Sequence, residues 1–424
     1  MTQVHKAEEF IRMHSLSGDG FDYEEYVEKF TADMKRGLAG EKSSLGMIPT
    51  YLSAGGMPPD GATAAVVDAG GTNFRTALVT FTEAGPIISR LEKCPMPGSR
   101  EPISWEEFTD LAAEKLLPLL SFTDKIGFSF SYPTKLTPQR DGRILSLAKE
   151  VQITGYKDRL ICSEIKKKLA RKGCDSVKMM LLNDVPAVLL GGMDFARRRG
   201  CGGMVGLING TGTNLCCAAP GINIGGREYE NMLINVESGT FNAPGRGDID
   251  EELDAASALP GSYIHEKTVS GAYLGELFRR ALLKAAEENV FMPKTAANLQ
   301  TLKSVSSEAA DCFAAGERGE SMESLFAPCD LEPARLIAGA VFDRAGKYIC
   351  CDVAAAIEYM GTTAPVCLCG DGSVFLCSQS FRAALFRHMD CFIGGKMGKR
   401  VLIHESDHAT AIGAAVAALI QTGD

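Results

Sequence analysis

The stretch from Ala64 to Phe81, AAVVDAGGTNFRTALVTF, constrains this chain more than any other. Two apolar, β-branched runs flank a tight turn, and that pattern predicts a β-hairpin. Glycine belongs where a chain turns sharply and where another group must approach the backbone. Gly70, Gly71 and Thr72 are therefore expected to turn amides and a hydroxyl toward an anion, most simply a phosphate. Asp68 ends the first strand, where a carboxylate can orient Mg2+ or its water shell. An ordinary hairpin with a Gly-Gly turn is the plainer alternative, and the rest of the chain has to decide.

At 424 residues the chain exceeds one ordinary core, so about two or three domains are expected. The formal charge of −9, with no concentrated basic stripe, argues against nucleic acid as a partner. No run reaches the roughly 18 apolar residues of a membrane helix, and the charged N-terminus does not read as a secretory signal. Fourteen cysteines lie mostly in apolar segments without a C-x-x-C pair, which reads as reduced core thiols of a cytoplasmic protein. Cys367 and Cys369 have no further ligands at zinc spacing.

Helical periodicity covers residues 1 to 45, with Phe21, Tyr26, Phe30, Met34 and Leu38 on one face. Met47 to Leu52 is extended, and Ala54 to Gly61 is a linker. Helices are expected at Ser104 to Leu120, opened by a Ser104–Glu107 capping box, at Tyr156 to Lys172, at Ala272 to Glu288, at Leu336 to Met360 and at Ala409 to Ile420. Strands are expected at Lys125–Ser131, Met179–Leu182, Met204–Asn209, Asn231–Val236, Pro365–Cys369 and Lys399–His404, while Asp141 to Gly155 reads as a polar loop. A helix should begin at Val185-Pro186. Alternating strands and helices predict an α/β architecture, with ligands at the strand ends.

Three Gly/Thr/Ser turns follow apolar strands: Asp68 to Asn73, Gly210 to Thr213, and Gly370 to Ser373. Each alone is a simple loop; together they predict a nucleotide cradle. No P-loop, dinucleotide fingerprint, H-E-x-x-H or G-x-S-x-G occurs. The polar residues at strand ends are Ser131, Lys149, Asn183, Asp184, Asn214, Glu237 and Glu266. Taken singly, a helix cap or a surface ion pair explains each. As a set of carboxylates, amides, hydroxyl and ammonium they suit a polyol, whose hydroxyls both donate and accept. Asp184 ends a buried strand, where an unpaired charge is costly without a task.

With these residues in place, the chain resembles the hexokinase family, sugar kinases of the two-lobed actin-like ATPase (ribonuclease H-like) fold. The resemblance runs from Met47 to the Ile412-Gly413 segment. DAGGTNFR (Asp68 to Arg75, with Thr72 and Asn73) looks like the first phosphate motif. SFSYP (Ser129 to Pro133) looks like the sugar signature, and LLND (Leu181 to Asp184) like the catalytic strand end. GTGTN (Gly210 to Asn214) looks like the second phosphate motif. NVESGTF (Asn235 to Phe241) and LPGSYIHEK (Leu259 to Lys267) look like the two glutamate-bearing sugar segments. SGAYLGEL (Ser270 to Leu277) follows the family closely, and GDGSVF (Gly370 to Phe375) looks like the adenosine motif. Eight such strings in family order are highly specific.

The resemblance implies mixed sheets flanked by helices in two lobes: residues 60–182 with 405–424, and 1–59 with 183–404. It implies phosphoryl transfer from MgATP to the 6-hydroxyl of a hexose, most simply glucose, for glycolysis. Asp184 would be the base. Ser131, Lys149, Asn183, Asn214, Glu237 and Glu266 would hold the sugar. Asp68, Gly70, Gly71, Thr72, Asn73, Arg75, Gly210, Thr211, Gly212, Gly370, Gly372 and Ser373 would hold the nucleotide, with Asp68 reaching Mg2+ through water. A monomer or homodimer is expected. Two stretches depart: the loop between Phe241 and Asp250 looks short for the family, and where the family usually has W-T-K-G-F, this chain has Leu147-Ala148-Lys149-Glu150-Val151. The lysine stays; the tryptophan, the threonine hydroxyl and the glycine do not. This stretch motivates one competing reading, a kinase of altered hexose preference; a catalytically silent sugar sensor is the other, and retention of Asp184, Lys149 and both glutamates argues against it.

Overall fold

The computed structural model describes residues 2–147, 151–224, 226–316, 322–406 and 408–420. Two mixed sheets form the frame. The five-stranded sheet runs Lys178–Leu182, Lys125–Phe130, Thr63–Ala69, Asn73–Thr82 and Gly85–Pro95. The expected hairpin is its centre: Thr63–Ala69 pairs antiparallel with Asn73–Thr82, placing Asp68 opposite Arg75. Lys125–Phe130 adds in parallel beside the first hairpin strand, and Lys178–Leu182 in parallel beyond it. The register aligns Asp68, Ser129 and Leu182 across three neighbouring strands. Gly70, Ser131 and Asn183-Asp184 therefore emerge together at one sheet edge.

The six-stranded sheet runs Ile48–Ser53, Met232–Asn235, Thr213–Ala219, Gly203–Asn209, Val366–Asp371 and Val401–Glu405. Gly203–Asn209 pairs antiparallel with Thr213–Ala219 and parallel with Val366–Asp371, with Ile208 opposite Asp371. This register puts the Gly210–Gly212 and Gly372–Ser373 turns side by side.

Each sheet has its own core. The Leu331–Met360 helix backs the six-stranded sheet, and the Gln3–Met13 and Tyr23–Leu38 helices pack on that helix. Trp105, Phe108 and the Ile161–Ala170 helix fill the other core. A third cluster joins the two, drawing Val66 and Leu182 from one sheet and Cys216 and Leu233 from the other. Its centre is the crossing of the Asp184–Gly191 and Ala409–Ile420 helices. They cross so closely that a Cβ on Gly413 would lie 1.7 Å from the Ala187 carbonyl oxygen, so only glycine fits.

The capping box is present: Ser104 Oγ accepts from the Glu107 amide, and Glu107 Oε2 accepts from the Ser104 amide at 2.7 Å. Other expectations shift. The Tyr156–Lys172 helix occupies only Ile161–Ala170. The polar stretch Asp141 to Gly155 contains two short strands, Gly142–Ile144 and Ile153–Thr154. The long helix starts at Leu331 rather than Leu336 because Asp330 already closes its first turn through the Ala334 amide.

Candidate functional site

Strand Lys178–Leu182 opens on an exposed lysine, is apolar and buried from Met179 to Leu182, and is followed by Asn183 and Asp184. Asn183 Oδ1 accepts from the Val185 amide at 3.4 Å, which caps the following helix. Asp184 Oδ1 accepts from the same amide at 2.8 Å, so the carboxylate is held at a helix N-terminus. The Ser131 hydroxyl donates to it from the neighbouring strand end. The carboxylate keeps limited solvent access in the cleft while protein surrounds it. Burial pushes its carboxyl up to about 7; Glu237 and Asp68 push the same way, and the Ser131 hydroxyl and Val185 amide pull against them.

An amide network spans the two sheets beside it. Asn214 Nδ2 donates to Asn235 Oδ1 at 2.8 Å, and Asn235 Nδ2 donates to Glu237 Oε1 at 2.7 Å and to Asn183 Oδ1 at 3.4 Å. Asn183 in turn donates to the Phe130 carbonyl at 3.2 Å. Asn235, Asn183 and Glu237 line a small slot together with Phe130, Tyr132 and Leu136. Glu237 sits in the left-handed region at φ 56°, which turns its side chain back into the slot. Burial holds the carboxyls of Glu237 and Glu266 above their ordinary value. Glu266 begins a short helix, and its Oε2 accepts from the Thr213 amide at 3.1 Å.

The glycine turns follow two other strands, Thr63–Ala69 and Gly203–Asn209. In the first, the Gly70 amide donates to the Asn73 carbonyl at 3.0 Å. In the second, the Gly210 amide donates to the Gly212 carbonyl at 2.9 Å. Both amides are spent inside their own turns, which corrects the expectation that they face an anion. The next residues, Gly71 and Thr211, are exposed, and a Cβ on Gly71 would meet nothing within 4 Å. Likewise the Gly372 amide donates to its neighbour Asp371, at 2.6 Å. Gly372 packs on Asn209 and Gly210, and Ser373 is exposed beside them.

Arg75 Nη1 donates to Asp68 Oδ2 at 2.9 Å, so this arginine is committed to the aspartate. Asp68 is buried, and burial lifts its carboxyl above the ordinary value against the pull of Arg75. A carboxylate so desolvated gains from a nearby cation, which fits a water-bridged Mg2+. Among the described residues no cluster of three metal-ligating side chains occurs.

Ser131, Asn183, Asp184, Asn214, Glu237 and Glu266 thus gather around one cleft between the sheets. Lys149 lies outside the described residues. Sequence reasoning missed Asn235, the link between Asn183, Asn214 and Glu237; its position at the end of the Met232–Asn235 strand, two residues before Glu237, was the available signal. It also missed Tyr132, whose hydroxyl donates to the Gly70 and Gly71 carbonyls at 3.3 Å each and braces the first glycine turn.

Comparison with known proteins agrees with this geometry. Hexokinase family models match residues 6–193 and 204–420. Human hexokinase HKDC1 is 32% identical over 307 residues, which is 67% of this chain and 32% of that protein. A tobacco relative named hexokinase-2, chloroplastic, is 30% identical over 281 residues, 62% of this chain and 56% of its own length. The chain therefore spans about a third of the human relative it matches. The solved hexokinase from Schistosoma mansoni complexed with glucose superposes with a TM-score of 0.72 at 22% identity, covering 99% of this chain and 100% of that one. The fold is the two-lobed actin-like ATPase fold of that structure. Both halves of the chain carry the signature, and the cleft falls where the halves meet: the chain belongs to the hexokinase family.

Proposed function

We propose that this chain transfers the γ-phosphoryl group of ATP to the 6-hydroxyl of a hexose, glucose first. The observation that carries the reading is Asp184. Its carboxyl titrates near about 7 between a sugar-compatible amide and carboxylate network and two glycine turns. A base whose pKa lies near the working pH combines the correct protonation state with useful basicity. The 6-hydroxyl oxygen attacks the γ-phosphorus, its proton passes to Asp184, and the bond to the bridging β–γ oxygen breaks to release ADP.

Asn183, Asn214, Glu237, Glu266 and Ser131 orient the sugar hydroxyls, with Lys149 as a further contact. Gly71, Thr72, Asn73, Thr211 and Gly212 border the phosphates, with Gly70 and Gly210 shaping their turns. Arg75 holds Asp68. Gly370, Gly372 and Ser373 border the adenosine. Asp68 is the residue that would hold Mg2+, and a bound ion would supply positive charge against the phosphates. Residues 60–182 with 405–424 form one lobe and 1–59 with 183–404 the other, closing over the sugar to exclude water. A monomer or homodimer in the cytoplasm, acting in glycolysis, completes the reading. The fourteen free cysteines suit a reducing compartment. Among the described residues no helix is long and apolar enough to cross a membrane.

Purified protein with MgATP and a hexose panel should release ADP and a hexose 6-phosphate. Asp184→Ala should lose about 10²- to 10⁴-fold in kcat while sugar binding persists. Unchanged turnover in that variant rules out the role of Asp184. The altered stretch Leu147 to Val151 favours a second reading, preference for another hexose, which relative kcat/KM across the panel decides.

A further inference from the structure

Glu266 is preceded by a histidine with no place in the chemistry above. His265 is fully buried, and so is its partner: Nε2 lies 2.7 Å from Asp352 Oδ2, with neither side chain exposed at all. Asp352 Oδ1 accepts from the Tyr26 hydroxyl at 3.0 Å, and that hydroxyl lies 3.4 Å from His265 Nδ1. The three side chains come from three distant places. Tyr26 is on the Tyr23–Leu38 helix, Asp352 on the Leu331–Met360 helix, and His265 at the head of the Glu266–Val269 turn.

The backbone of His265 is fixed as well. Its amide donates to the Phe241 carbonyl at 3.1 Å, and its carbonyl accepts from Thr268 Oγ1 at 2.7 Å. Phe241 ends the turn that carries Glu237, since the Phe241 amide donates to Ser238 and the Thr240 amide to Glu237. The Tyr26 ring meets the Phe241 ring edge-on, with centroids 5.4 Å apart. One histidine thus ties the Glu266 segment to the Glu237 segment, and both to two helices of the core.

A buried polar cluster is a poor means of mere stabilisation. Desolvating an aspartate and a histidine costs more than packing apolar residues of similar size. Directional hydrogen bonds do what apolar contacts do not: they fix an orientation. We infer that His265, locked by Asp352 and Tyr26, is a positioning residue that sets the aim of Glu266, and through Phe241 that of Glu237, toward the sugar. This role rests on the hexose kinase reading above.

The test uses the full-length protein and three variants: Asp352→Asn, Tyr26→Phe and His265→Phe. Asp352→Asn keeps the size of the side chain and weakens its hold on the ring. A positioning role raises the sugar KM about ten- to a hundredfold in Asp352→Asn, leaves the ATP KM unmoved, and leaves kcat at saturating sugar within about threefold. Tyr26→Phe removes one oxygen and moves the sugar KM the same way by less. It keeps the test alive should Asp352→Asn or His265→Phe fail to fold. Calorimetric titration with glucose alone reads the same shift as a Kd, without turnover.

Wild-type turnover with variants whose sugar KM is unchanged, or changes in step with the ATP KM, overturns the positioning role alone. A wild-type chain that neither binds nor phosphorylates any hexose overturns the kinase reading and this role together.

Discussion

Glu266 reaches across the second glycine turn to accept from the Thr213 amide, Oε2 to N at 3.1 Å. One carboxylate therefore belongs to both halves of the cleft. Its carboxyl group feels the charge of Glu237, and the backbone it grips follows the Gly210–Gly212 turn. Between them stands Gly212, where a Cβ would lie 2.6 Å from that same Oε2.

Gly212→Ala tests this coupling. The methyl group meets only the flexible end of the Glu266 side chain, so the carboxylate swings off the Thr213 amide while the backbone stays in place. The expected outcome is a rise of about ten- to a hundredfold in sugar KM together with a rise in ATP KM, in a protein that still folds. Steady-state kinetics against both substrates, with circular dichroism for the fold, provide the measurement. Equal KM values in variant and parent would show that Glu266 does not depend on the turn.

The pH dependence of turnover follows from Asp184. Only the ionised carboxylate accepts a proton, and its carboxyl titrates near about 7 because burial, Glu237 and Asp68 outweigh Ser131 and the Val185 amide. kcat/KM should therefore climb with pH through about 7 and level off above it. A profile already flat from pH 5 upward would place the working base elsewhere. Glu237→Gln removes one of the charges that raise this carboxyl, so the midpoint should move down.

Stability runs the other way. The Asp184 carboxyl sits near about 7 in the folded protein against 3.8 for an ordinary aspartate. Between those values the native state holds a proton that the unfolded chain releases, so stability is present at low pH and lost as pH rises across the window. The loss approaches about 1.4 kcal/mol for each pH unit inside it. Asp184→Asn carries no charge and escapes this loss. Scanning calorimetry should show the variant more stable than the parent at pH 8 and equal to it near pH 4. A variant less stable at pH 8 would contradict the assignment. Loss of activity with gain of stability is the mark of a group kept for function.

Local sequence signals found the elements whose causes are local. The Ala64–Phe81 hairpin, the Ser104–Glu107 capping box and the helix opened by Pro186 each carry their determinants within a few residues. The Ile161–Ala170 helix does not. Its first amides, at Cys162 and Ser163, donate at 2.8 Å each to Asp141, some twenty residues upstream. A cap supplied from that distance leaves no local trace, so the helix appeared longer than it is. The edge strand Gly85–Pro95 is largely exposed and shows no apolar alternation to detect. The strand Thr213–Ala219 was hidden because the preceding glycines read as a loop rather than as the bend of a second hairpin. At the site, the carboxylates were legible because charge at a strand end is conspicuous. Asn235 was not, since its value lies in partners brought from Asn183, which caps a helix, and from Asn214 on another strand.

Arg344 and Asp250 form a bidentate pair, both hydrogen bonds 2.7 Å, with almost no exposure. Two effects compete there. Desolvation argues that replacing both by apolar residues is nearly neutral, whereas removing one leaves a buried charge and costs about 3 to 5 kcal/mol. Each partner also serves the backbone: Arg344 Nη1 donates to the Ser15 carbonyl, and Asp250 Oδ2 accepts from the Gly247 amide at 3.0 Å. Those two backbone groups lose their partners in the double variant, at about 1 to 3 kcal/mol each. Arg344→Met alone should therefore cost about 3 to 5 kcal/mol, and Arg344→Met with Asp250→Leu should recover only part of that loss. Urea unfolding of the two single variants and the double variant measures the cycle. Full recovery would mean that the Ser15 and Gly247 contacts carry no weight. Additive losses would mean that the two charges do not depend on one another at all.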